Sequence, residues 1–105
     1  MEIIIHRVNK IKKLKKIPKN FGTEVDVRSF KNKLILNHEP KKNGDSLEKY
    51  LKNYQNGTLV LNIKESGIED EVIKKVRKFP KIKSYFLLDV EIPYLFNFLK
   101  KNKNY

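Results

Sequence analysis

The chain has 105 residues, a formal net charge of +12, 39% hydrophobic residues and no cysteine. That length holds one domain with a modest core, and the lack of cysteine excludes a disulfide framework and a Cys-based zinc site. The longest apolar runs, Ile3 to Ile5, Leu59 to Leu61 and Tyr85 to Leu88, are too short to span a membrane.

The opening Met1-Glu2-Ile3-Ile4-Ile5 lacks the basic start and long apolar stretch of a secretion signal, so a cytoplasmic location is expected. The positive charge is almost all lysine, since the arginines are Arg7, Arg28 and Arg77. Asn and Ile are abundant too, and a joint Lys/Asn/Ile excess follows from an AT-rich coding sequence without selection for binding. The lysines are spread over every expected helix rather than gathered on one aromatic-lined patch, so nucleic acid is not favoured as partner. The charge does imply salt-sensitive attraction to phosphate groups of any kind.

In chain order, Glu2 to Ile5 reads as a first strand, buried on both faces and ending at His6-Arg7. Asn9 to Ile17 carries Ile11, Leu14 and Ile17 among lysines, a weak amphipathic helix closed by Pro18 and the Asn20-Phe21-Gly22 turn. Thr23 to Arg28 is a second strand. Lys31-Asn32-Lys33 is a turn, and Leu34 to Asn37 is a third strand. The gap is too short for a helical crossover, which implies a hairpin or an extended return.

Asp45 or Ser46 caps the next helix, whose Leu47, Tyr50, Leu51 and Tyr54 follow i, i+3, i+4, i+7. Asn56-Gly57 stops it. Thr58 to Ile63 is a strand. Glu69-Asp70-Glu71 opens and Lys74 to Lys78 closes a helix matched to its dipole. Lys83 to Leu88 is a fifth strand, and Pro93 suits the first turn of a final helix.

Within this order Glu24 and Asp26 sit at i and i+2, so in a strand they project from one face. Asp26 and His38 are each six residues from Asn32, so a hairpin there would bring them together. Two acids and a histidine at a strand end suit a hard metal with a general acid or base. A solvated hairpin end has the same spacing, and spacing does not choose between them. His6-Arg7, Asp26, His38, Lys64 and Asp89 all fall at or near carboxyl ends of strands, the edge where parallel α/β folds bind ligands. Glu65 reads as a solvated loop acid.

The blocks His6-Arg7, Glu24-x-Asp26-Val27-Arg28, Leu34-Ile35-Leu36-x-His38-Glu39-Pro40, Ser46-Leu47-Glu48-x-x-Leu51 and Leu61-x-Ile63-Lys64 resemble, in order and spacing, the glycerophosphodiester phosphodiesterases. These belong to the wider phosphatidylinositol-phospholipase-C-like phosphodiesterases. With Asn62 and Lys64 on the fourth strand, the chain is most similar to a bacterial subgroup associated with surface-polysaccharide gene sets. The resemblance implies an α/β fold, a partial TIM-type (β/α) barrel of about five mostly parallel strands with an early β-hairpin. Residues 1–105 would be a single domain forming the N-terminal half of such a barrel.

The resemblance further implies metal-dependent hydrolysis of a small phosphodiester of glycerophosphodiester type, a reaction of lipid metabolism. His6 and His38 would be the acid–base pair, Glu24, Asp26 and Asn62 the ligands of Mg²⁺ or Ca²⁺, and Arg7 and Lys64 the phosphate-binding cations. Val8 replaces the glycine usual after His-Arg, and Asn62 replaces a third metal carboxylate. A closed eight-stranded barrel takes about 250 residues, so the resemblance implies a fragment continuing past Tyr105, or two copies associating through the open barrel edge. The residues alone leave two other functions open: a basic module binding nucleic acid or anionic lipid, and a catalytically dead relic.

Overall fold

The structure, a computed structural model, describes residues 2–89. They form β1 (Ile4–Ile5), α1 (Ile11–Leu14), β2 (Gly22–Phe30), β3 (Lys33–Leu36), β4 (Asp45–Ser46), α2 (Leu47–Lys52), β5 (Leu59–Ile63), α3 (Glu69–Arg77) and β6 (Tyr85–Asp89). The helix expected from Pro93 lies outside the described residues.

The strands make one open, mixed, six-stranded sheet in the order β4-β3-β2-β5-β6, with β1 also pairing β2. The pairings β1–β2, β2–β5 and β5–β6 are parallel, and β2–β3 and β3–β4 are antiparallel. The domain is thus α/β with an early hairpin, on an open sheet with one strand more than expected. The added strand is β4, whose two residues pair Ile35 and Leu36 and are too few to leave a periodic trace.

The long strand β2 organises the sheet. One edge runs along β5, from Thr23 opposite Leu59 to Val27 opposite Ile63. The other edge is divided. β1 pairs Gly22 and Thr23 in parallel, and β3 pairs Val27 to Phe30 in antiparallel. Between them the Val8 N–H donates to the Glu24 carbonyl at 2.9 Å, and the Asn37 N–H to the Asp26 carbonyl at 3.0 Å.

Strand periodicity sorts the two faces. Val25, Val27, Leu59, Leu61 and Ile63 are fully buried in one cluster with the apolar sides of α2 and α3. Each such side chain contributes about 1.5–3 kcal/mol by leaving water. Glu24, Asp26, Val60, Asn62 and Phe86 belong to the other face, where Phe86 is 39% exposed.

Local chemistry explains where elements differ from expectation. β1 is short, its residues only half-buried, and Ile3 is exposed. Among the described residues it has β2 on one side only, so it is not buried on both faces. α1 covers Ile11–Leu14 rather than Asn9 to Ile17 because Lys10 offers no capping side chain and its first turn holds no acid. The missing cap comes from Asp45, whose carboxylate accepts the Ile11 N–H at 2.7 Å. Ser46 alone caps α2, accepting the Lys49 N–H at 3.3 Å. α3 has Glu69, Asp70 and Glu71 in its first turn and Lys74, Lys75 and Arg77 in its last. No helix among the described residues is long and apolar enough to cross a membrane.

Candidate functional site at the carboxyl end of the parallel strands

Asp26 is the floor of the site. It lies where the parallel part of β2 ends, with Asn62 of β5 as its register neighbour, and its side chain is 2% exposed. A buried carboxylate needs partners. The Asn9 Nδ2 donates to Asp26 Oδ2 at 3.0 Å, while the Asp26 N–H donates to Asn9 Oδ1 at 2.8 Å. Lys64 Nζ stands 3.8 Å from Oδ1, and His38 Nδ1 3.6 Å from Oδ2. Both exceed hydrogen-bond length, and the Lys64 contact is a charge proximity.

Glu24, two residues earlier on the same face, has His6 Nδ1 at 4.0 Å from its Oε1. Strand β2 therefore joins two acid–imidazole pairs, His6 with Glu24 and His38 with Asp26. The imidazoles are open to solvent and the acids sit beneath them, His6 being 75% exposed against 15% for Glu24. Of the residues expected at the site, His6, Glu24, Asp26, His38, Asn62 and Lys64 are brought to this end of the sheet. Arg7 lies exposed at the rim, and its guanidinium pairs with neither Glu24 nor Asp26.

The turn after β1 explains Val8. Arg7 itself takes the left-handed conformation, with φ 55°, at a cost of roughly 1–2 kcal/mol for a residue with a Cβ. Val8 then drops its side chain fully into the core, so the position after His-Arg needs no glycine here.

His38 is held through its backbone. Arg28 Nε donates to the Asn37 carbonyl at 3.1 Å, and its terminal nitrogen to the His38 carbonyl at 2.9 Å. Asn37 ties the following loop, donating to the Asn43 carbonyl and accepting the Glu39 N–H, both at 2.9 Å. Glu65 is not a free loop acid. It accepts the Ser29 N–H at 2.9 Å and the Ser29 hydroxyl at 2.7 Å, which fastens the end of β2 to the segment after β5. Arg28 was legible by period, two residues beyond Asp26. Asn9 left no sequence signal beyond following the first strand closely.

The oxygen donors Glu24, Asp26 and Asn62 have the chemistry of a hard-cation set. Among the described residues no three His, Cys, Asp or Glu side chains form a metal-holding group, and Asn62 lies in register with Asp26. Asp26 Oδ2 is engaged by Asn9, which leaves Oδ1, now facing Lys64, as the oxygen a cation would share. No family model, curated protein or solved structure matches the chain.

Proposed function

We propose that the domain is the first part of a barrel-type phosphodiesterase and that this site hydrolyses a small phosphodiester of glycerophosphodiester type. One observation carries the reading. His6, Glu24, Asp26, His38 and Lys64 are scattered along the chain, yet they converge at one end of the sheet in two acid–imidazole pairs with an ammonium beside them. The run of parallel pairings β1–β2–β5–β6, with the apolar sides of α2 and α3 packed on one face, supports the barrel half of the reading.

In this reading one imidazole takes the proton of the attacking hydroxyl and the other gives a proton to the leaving oxygen. Glu24 and Asp26 stand beside the two rings, at 4.0 and 3.6 Å. Arg7 and Lys64 neutralise charge developing on the phosphoryl oxygens. Lys64 has the reach for this, being held at Asp26 by charge proximity alone. Mg²⁺ or Ca²⁺ held by Glu24, Asp26 and Asn62 would polarise the phosphoryl group and lower the pKa of the attacking oxygen.

The test is release of alcohol from glycerophosphodiesters with Mg²⁺, Ca²⁺ or Mn²⁺ present. His6→Ala and His38→Ala should each slow turnover by about 10²-fold or more. Absence of turnover with all three ions, or two histidine variants as fast as the parent, removes the proposal.

A second reading, a basic module for nucleic acid or anionic lipid, is favoured by the net charge of +12. It requires steeply salt-dependent binding that Glu24→Gln and Asp26→Asn leave unchanged.

A further inference from the structure

We infer that Asn9 is a positioning residue that fixes the Asp26 carboxylate in the orientation the cation site needs. The inference rests on the metal-dependent reading above and adds a residue to it.

The reason lies in the divided edge of β2. β1 leaves that edge after Ile5 pairs Thr23, and β3 joins it only at Val27. The Asp26 N–H falls in the interval, deep enough that an unpaired donor is costly. The Asn9 amide fills the gap as a strand backbone would. Its Oδ1 accepts the Asp26 N–H at 2.8 Å, and its Nδ2 donates to Asp26 Oδ2 at 3.0 Å. One planar group thus grips both the backbone and the side chain of the same residue.

Those partners also fix the amide's own orientation, because the N–H needs an acceptor and the carboxylate needs a donor. With Oδ2 taken, rotation of the carboxylate is stopped, and Oδ1 is turned toward the ammonium of Lys64 at 3.8 Å. No other side chain of similar length does both tasks. Aspartate has no donor at neutral pH, serine is too short to bridge, and glutamine is one methylene too long. Groups that hydrogen-bond a ligating carboxylate from behind typically contribute 10- to 100-fold in metal affinity.

The experiment titrates Mg²⁺ and Ca²⁺ calorimetrically into the parent protein, Asn9→Ala, Asn9→Ser and Tyr50→Phe. Tyr50→Phe is the stability control, since it removes a hydrogen bond to Thr23 on the opposite face of β2. Both Asn9 variants should bind each ion about ten-fold more weakly or worse, while Tyr50→Phe melts earlier and keeps the parent affinity. If Asn9→Ala does not stay folded, Asn9→Ser decides. Parent-like affinity in any folded Asn9 variant overturns the positioning role and leaves the metal site standing. A parent protein that binds neither ion overturns the metal site itself, and the role of Asn9 with it.

Discussion

Arg28 clamps the backbone on either side of His38, donating to the carbonyls of Asn37 and His38. Since Arg28 follows Asp26 by two positions on β2, one strand face supplies both the acid beside the imidazole and the hold on its backbone. A guanidinium presents its donors as a rigid fork, and lysine does not. Arg28→Lys should therefore keep the charge and lose the clamp. We expect faster amide exchange over residues 37–43, with a loss of stability of about 1 kcal/mol. Hydrogen-exchange mass spectrometry reads the first effect, and unchanged protection there would count against the clamp.

Tyr50 and Thr23 share a buried hydroxyl–hydroxyl hydrogen bond of 2.9 Å. Tyr50→Phe removes this bond from the core and should cost about 1 kcal/mol. Removing both hydroxyls, in Tyr50→Phe with Thr23→Val, should cost less than the two single changes added together. Denaturant titration of the four proteins checks this. Burial also pushes the Tyr50 phenol well above its ordinary value of 10.0. A raised folded-state pKa gives stability that is whole below the ordinary value and is lost as pH rises beyond it. The parent should accordingly lose stability in strong alkali, and Tyr50→Phe should lose less.

Glu2 ties the start of β1 to the start of β5. Its carboxylate accepts the Thr58 hydroxyl and the Thr58 N–H, each at 2.6 Å. The hydroxyl first, and then the backbone N–H, hold the Glu2 carboxyl below its ordinary 4.5. A lowered folded-state pKa gives stability that is present above the ordinary value and lost as pH falls through the folded one. Glu2→Gln should thus melt earlier than the parent at neutral pH, and the two melting curves should converge in acid. A gap that persists undiminished in acid would show that the carboxylate charge is not what matters.

The parts of the site visible in sequence were those set by local periodicity. The i, i+2 spacing of Glu24 and Asp26 places both on one strand face because side chains alternate. The hairpin was visible too, but its register was off by one. Lys31 and Asn32 both have positive φ, 50° and 65°, and Phe30 pairs Lys33. This is a two-residue turn of the primed type, which matches strand twist and sets Asp26 level with Asn37. His38 still reaches Asp26 because β3 has ended and the chain is free to turn inward.

What the sequence did not disclose depends on distant partners. α1 shrinks to four residues and takes its cap from Asp45, far along the chain. Asn9 matters only because β1 and β3 leave a gap between them, which no local pattern encodes. Glu65 looks like any loop acid until Ser29 is brought beside it.

The divided edge of β2 has a consequence for the fidelity of folding. A strand that slips by one residue turns every side chain to the opposite face, which here would drive Glu24 and Asp26 into the core and expose Val25 and Val27. Alignment of β2 is specified separately by residues near 4, near 35 and near 60, in two strand senses. Agreement among three independent neighbours makes the outward aim of the two acids a redundant instruction. Damage to one neighbour leaves two that still specify it.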